Sequence, residues 1–445
     1  MEVTRTLARY VVGSNLNDIP EAVQKEAVRS LVNWLGCAVG ACRHETVDRA
    51  LEALAPFSGK AEATLMGRGE KLDIFLAALL NGISSHVFDF DDTHLKTIIH
   101  PAGPVASALF ALSEHMAISG ADLLHAFILG VEVECRIGNA VYPEHYDVGW
   151  HITGTAGVFG AAAAVGKILK LDEQQMVWAL GIAGTQSSGF REMFGTMCKS
   201  FHPGRAAQNG MLAAFLAQKN FTSSNQVLEA KRGFANVMST ARKYEEITEN
   251  LGKTFEVALN TYKPFACGIV IHPSIDGGIQ LKKELSLTGN EVTKVELKVA
   301  PLVLELTGKK TPQTGLEGKF SVYHSLAVAI IHGAAGENEY SDACVRDPNV
   351  IALRDKVEAT IDKSMRDDEA IVKVTLKDGR TSEKHVAHAL GSLERPLSNA
   401  DIDAKFNGLV TDILGEAQTA QLLEAAWSIL SLNDASEISH LSVPR

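Results

Sequence analysis

The chain has 445 residues, 46% apolar and 21% charged, with a formal net charge of −11. That length exceeds what one simple core holds, so two domains are expected, and the ordinary apolar-to-charged balance excludes a disordered chain. The acidic balance disfavours a nucleic-acid partner, runs such as Phe159–Val165 are too short to span a membrane, and the first twenty residues contain no signal-peptide core. A cytoplasmic protein with no membrane partner is therefore expected. The six cysteines are scattered without C-x-x-C spacing and read as reduced thiols, with Cys198 beside Lys199 the one to watch.

In chain order, Pro20 after Asp18 marks the first turn of a helix that Ala27, Leu31 and Leu35 continue. Apolar helices are predicted over 73–85, 104–117, 121–139, 154–169, 172–189, 204–218 and 224–231, with Asp172 as an N-cap. Their Ala- and Gly-rich stretches, such as AGVFGAAAAVG, predict closely approaching axes in a buried bundle. After Lys263-Pro264 the texture changes. Glu291 to Ala300 alternates like a half-buried strand, and residues 370–376 and 381–387 flank Asp378-Gly379 as a hairpin. Helices are expected over 275–286, 319–333 and 347–361. Past Pro396 the helical pattern returns. The fold class read from this is mainly α: a large all-helical domain (1–265 plus 398–445) with a smaller inserted α+β domain (266–397).

The densest chemistry lies in His86–Pro101, HVFDFDDTHLKTIIHP, where three aspartates, a threonine and three histidines interrupt apolar sequence. If Asp89 begins a helical turn, Asp92 and Thr93 share its face and Asp91 points elsewhere. Four more clusters follow: His100–Pro104 before a helix, the loop Tyr142–His151 (YPEHYDVGWH), Thr196–Arg205 with Lys199, His202 and Arg205 ahead of a helix, and Thr261–His272 with Lys263 at the domain junction. Each also has a plain reading: a capped helix start for DFDDT, solvated loop charges for Lys199 and Arg205, core or capping histidines for His202 and His272. Gly67-Arg68-Gly69 is a turn without a phosphate-loop pattern.

A metal is not expected. DFDDT lacks a second acid four residues on, and His86, His94 and His100 do not fall at H-x-x-x-H spacing. The clusters together suggest cations that hold carboxylates and stabilise the charge formed when an α-proton leaves, with a lysine of depressed pKa or a histidine as base.

The series LNGISSHVFDFDDTH, HPAGPVASAL, GWHITGTAG, KSFHPGRAAQNG, YKPFACGIVIHP, GKFSVYHSLAVA and RPLSNADIDAKF runs in order over nearly the whole chain and resembles the MmgE/PrpD family. That family includes 2-methylcitrate dehydratase, cis-aconitate decarboxylase and iminodisuccinate epimerase. The resemblance implies a helical domain, an α+β lid, a homodimer, no cofactor, and a site between the domains. It carries the decarboxylase site onto Asp89, Thr93, His100, His151, Lys199 and Lys263. Two departures stand out. The segment from Thr93 to His100 is one residue longer than in the decarboxylases, and a site tyrosine of that branch meets His324, with Tyr323 one place earlier.

The length and the HYDVGWH loop look most like the iminodisuccinate epimerases. The expected activity is therefore epimerisation at the α-carbon of a small di- or polycarboxylate by two-base proton transfer. Lys263 is the first base, Tyr146 or His145 faces it, and His151 and Asp89 complete the catalytic set. Thr93, His100, Lys199, His202 and His324 hold the substrate. A dehydratase is the alternative, with cis-aconitate-type decarboxylation behind it.

Overall fold

The computed structural model describes residues 2–445. Its larger part is a bundle of helices: Glu21–Gly40, Ile74–Val87, Ala102–Ser113, Gly120–Val141, Ile152–Ile168, Glu173–Gly184 and Cys198–Gln218. Local chemistry sets several starts. Asp73 accepts from the Phe75 and Leu76 amides, Ser119 from Asp122, and Asp172 forms a capping box with Gln175.

Small residues let these axes cross closely. A Cβ on Gly82 would lie 2.4 Å from the Gly204 Cα, so only glycine fits where the 74–87 and 198–218 helices cross. That crossing places the start of one helix, with Lys199, beside the end of the other, with His86.

The helix predicted to start at 204 begins at Cys198 and contains Pro203. The Pro-Gly pair reads locally as a break. Here the proline ring instead packs against Gly103, where a Cβ would lie 3.2 Å from the Pro203 Cβ. Lys199, His202 and Arg205 therefore sit in helical turns, not in a loop ahead of one. Residues 224–231 form turns instead of a helix. The chain reverses there with Gly233 tucked against the Val227 carbonyl.

The second region carries a four-stranded sheet in the order 357–361, 292–299, 370–376, 381–386; the first pair is parallel and the other two antiparallel. The hairpin turns at Asp378-Gly379, with Gly379 at φ +85°. The segment 347–361, predicted as one helix, divides into helix Pro348–Arg354 and strand Val357–Ile361. The alternating, β-branched sequence VEATI finds a free edge beside Val292–Val299, and tertiary pairing overrides the helical pattern. Helices His272–Leu285 and Val322–His332 pack with this sheet into one apolar core.

Past the second region, the helix Asn399–Leu414 returns to the bundle. Phe406 and Leu409 fill the small surface left by Gly36 and Gly40, and Ile402, Phe406 and Val410 join the bundle core. Among the described residues no helix is long and apolar enough to cross a membrane.

Candidate active site

Asp89 follows the end of the Ile74–Val87 helix and takes a left-handed conformation, φ +51°. The helical turn expected there does not form. Asp92, Thr93 and His94 instead make a short strand, antiparallel to Asn260–Tyr262, which delivers Lys263 to Asp89. Buried Asp92 anchors this ribbon, accepting from Ser30 Oγ at 2.8 Å and Asn260 Nδ2 at 2.5 Å. Burial, then neighbouring Asp91, pushes its pKa up to about 7. Thr93 lies on the same strand, its Oγ1 3.3 Å from His100 Nδ1.

Two lysines meet on one oxygen of Asp89. Lys263 Nζ donates to Oδ1 at 2.6 Å and to the Asp89 carbonyl at 3.1 Å; Lys199 Nζ lies 3.0 Å from Oδ1 and 2.9 Å from His86 Nε2. Burial alone would raise the Asp89 pKa, but the two amines outweigh it and hold the carboxyl well below the usual range. Oδ2 is buried with no protein partner.

The lysines differ. Burial opposes charge on Lys263, yet Asp89 and Asp91 outweigh it and raise its pKa. For Lys199 burial dominates, Asp89 offsets only part of it, Lys263 adds repulsion, and the pKa falls. Lys263 was expected to be the base; its surroundings favour the charged form, whereas those of Lys199 favour the neutral one. Lys199 bonds only His86 and Asp89, so its amine keeps one position without a protein partner.

Asp91, expected to point away, is part of the same assembly. His86 Nδ1 donates to Asp91 Oδ2 at 2.6 Å, which leaves Nε2 to accept from Lys199. Burial pulls the His86 pKa down, Asp91 notwithstanding. The chain Asp91–His86–Lys199–Asp89–Lys263 is thus a continuous hydrogen-bonded relay. His86, Asp91 and His100 also bring three ligand-type atoms within 4.8 Å of one another. Both Nδ1 atoms are engaged there, His86 with Asp91 and His100 with the Asp92 carbonyl at 2.7 Å, so the set fits a relay better than a metal.

Because His100 Nδ1–H points to that carbonyl, its Nε2 is left as an acceptor. His151 Nδ1 lies 2.8 Å from His202 Nδ1, so one of the pair must be protonated there and the other not. Burial, then the neighbouring bases, holds His151 well below its ordinary pKa and His202 down to about 4. Two neutral rings that share one proton can present either an acid or a base at His151 Nε2.

A small cavity of about 30 Å³ collects these groups. Its polar lining includes Asp89, His100, Tyr146, His151, Lys199 and Lys263; its apolar lining includes Ile98, Phe194, Ile269, Val270, Leu306 and Phe320. Arg191 stacks 4.2 Å over the Tyr146 ring, but burial comes first and pushes the phenol pKa up. Tyr146 was read as a base lowered by cations; its burial instead favours the neutral phenol.

Seven other residues named from sequence do not line the cavity. His145 is buried between the Met238 carbonyl at 2.8 Å and Thr155 Oγ1 at 2.7 Å, and braces the loop. His202 stands behind His151, and Thr93 behind His100. His324 lies in the second core, its Nε2 2.8 Å from the Glu339 carbonyl, and neighbouring Tyr323 does not line the cavity either. His272 is buried against Phe265, both ring nitrogens unpartnered, and burial takes its pKa to about 3. Cys198 is exposed and outside the lining.

Sequence reasoning passed over His86 and Asp91. Their five-residue spacing spans the helix end and the left-handed turn, which no helical or strand periodicity flags.

Residues 5–247 match the MmgE/PrpD N-terminal domain and residues 265–429 the MmgE/PrpD C-terminal domain. The chain is 26% identical over 468 residues to the cis-aconitate decarboxylase of Aspergillus terreus, covering 99% of this chain and 95% of that protein. It is 25% identical over 463 residues to the cis-aconitate decarboxylase of Homo sapiens, covering 99% and 94%. To the mitochondrial 2-methylcitrate dehydratase of Yarrowia lipolytica it is 23% identical over 311 residues, covering 64% and 58%.

Proposed function

Because the chain belongs to the MmgE/PrpD family, we propose that it is a cofactor-independent enzyme acting on a small di- or polycarboxylate by removing the proton beside a carboxylate. The relatives favour a lyase outcome, in which the resulting carbanion expels a leaving group. One observation carries the reading: two buried lysines, Lys199 and Lys263, share one carboxylate oxygen of Asp89 at the wall of a cavity.

In this scheme Lys263 holds the substrate carboxylate and stabilises the charge that spreads onto it. Lys199 takes the α-proton, supported by His86 and Asp91. His151, in the tautomer with hydrogen on Nε2, or Tyr146 donates a proton to the leaving group. For decarboxylation the same donors would protonate the carbon instead.

A second reading, epimerisation, has its own support. The position that the family resemblance gives to the decarboxylase tyrosine is His324, which lies outside the cavity lining, whereas Tyr146 and His151 line it with Lys199. Removal of a proton by one group and its return by another needs only those parts. Proton NMR in D₂O with cis-aconitate, 2-methylcitrate and iminodisuccinate stereoisomers separates the outcomes. A vinyl product establishes the lyase, and α-deuteration without an alkene establishes the epimerase. Absence of turnover and exchange across the panel refutes the proposal. Full activity in EDTA is expected for either.

A further inference from the structure

Four buried or nearly buried lysines surround the Asp89 turn, and their donors divide them into two kinds. An ammonium has three hydrogens to place. Lys405, on the helix Asn399–Leu414, places all three on protein oxygens: Phe90 O at 2.5 Å, Asn33 Oδ1 at 2.7 Å and Lys263 O at 2.9 Å. Lys319, from the second region, does the same with Glu337 Oε1 at 2.6 Å, Phe88 O at 2.7 Å and Ala266 O at 2.8 Å. Lys199 and Lys263, which line the cavity, bond only two protein atoms each.

The carbonyls of Phe88, Asp89 and Phe90 therefore each receive a different lysine, from three separate parts of the chain. Lys405 also sits 3.9 Å from the centre of the Phe90 ring. This matters because Asp89 occupies a conformation that non-glycine residues adopt at a cost. The left-handed turn splays consecutive carbonyls outward, and buried carbonyls without partners would favour a different backbone.

We infer that Lys319 and Lys405 are positioning residues for the reaction: by holding the carbonyls on either side of Asp89 they fix its left-handed turn, so that its carboxylate stays between Lys199 and Lys263. Each also grips the backbone of the Lys263–Ala266 segment, so the two partners of the central ion pair are set by the same clamps. The inference rests on the proposed proton-transfer role of that site, and its structural arm is independent of that role.

The test uses the full-length chain with Lys405→Met, Lys405→Arg and Lys319→Met. Methionine keeps the length and removes the donors; arginine keeps charge, but its planar fork cannot reach the same three oxygens. In crystal structures of Lys405→Met and Lys319→Met, Asp89 should leave positive φ and its contacts with Lys199 and Lys263 should lengthen beyond hydrogen-bonding distance. If Lys405→Met does not fold, Lys319→Met decides the question from the Phe88 side. Asp89 unchanged, with both lysine contacts intact, overturns the inference whether or not any substrate is known.

With whichever panel compound the wild type exchanges, the methionine variants should lose about 10- to 100-fold in kcat while KM changes little, and Lys405→Arg should recover part of the loss. The alkaline limb should also move to lower pH, because Lys263 loses the carboxylate that raises its pKa. The groups around Lys263 are Asp89, Asp91, Cys267, His100, His272, Lys199 and Lys405, and the aspartates supply the main upward pull. A loss of thermal stability with kcat and the limb unchanged would mark the lysines as structural only. A wild type that exchanges nothing would refute the proposed function and leave the crystal structures to decide this inference.

Discussion

Asp89→Asn isolates the charge on which the site is built while keeping its shape. In the wild type the carboxylate lies 2.6 Å from one buried amine and 3.0 Å from another. At an effective dielectric near 20, unit charges about 3 Å apart attract by roughly 5 kcal/mol. Removing one partner of such a buried set typically costs about 3–5 kcal/mol of stability. The asparagine would leave two adjacent buried amines without their counter-charge, so burial then governs Lys263 as it already governs Lys199. The Lys263 pKa should therefore fall below its ordinary value.

The sign differs between the two proteins. Wild-type Lys263 has a folded pKa above its unfolded value, so its stabilisation is complete below the unfolded value and disappears as pH rises through the folded one. In the variant both lysines lie below their unfolded values. The folded state then binds fewer protons than the unfolded chain, and stability rises with pH. Thermal unfolding from pH 6 to 10 should therefore show a large deficit near neutrality that narrows toward pH 10. The alkaline limb of α-proton exchange, where residual activity permits, should move down with the lysine. A deficit independent of pH, or stability within about 1 kcal/mol of wild type at pH 7, would refute the idea that this carboxylate holds the lysines.

Lys199→Met should reduce exchange by about 10³-fold, within the range for loss of a general base, with partial rescue by added methylamine; equal activity would return the role to another group. Glu134 is buried with both oxygens unpartnered, and burial raises its pKa well above the ordinary value. Its contribution is present below the unfolded pKa and lost as pH rises, so Glu134→Met should stabilise by about 1–3 kcal/mol at pH 7–8 and show little gain at pH 4, read by thermal unfolding. Ile98 lines the cavity at φ +58°, where a β-branched residue is strained. Ile98→Gly should relieve that strain and enlarge the cavity, raising kcat/KM for bulkier carboxylates by about tenfold relative to smaller ones, and an unchanged ratio in competition assays would exclude Ile98 as a size filter.

Local sequence was enough to read the helical bundle, the Asp172 cap, the Asp378-Gly379 hairpin and the clusters around Asp89, His100, His151, Lys199 and Lys263. Each is written in spacing, turn chemistry or residue density within a few positions. It was not enough where a distant partner decides. Residues 357–361 became a strand because Val292–Val299 offered an edge, and Pro203 stayed in a helix because Gly103 made room for its ring.

The same division governs the chemistry. The sequence supplied two lysines, an aspartate and several histidines. Only the fold determined that Lys263 is held charged while Lys199 is depressed, that Asp91 joins the relay, and that His145 and His324 serve packing. Charge state and donor count depend on burial and on separations of about 3 Å. Here those separations join residues 110 and 174 positions apart, as in Lys199–Asp89 and Lys263–Asp89. Periodicity sets which way a side chain leaves its own helix or strand, and tertiary packing sets what it meets.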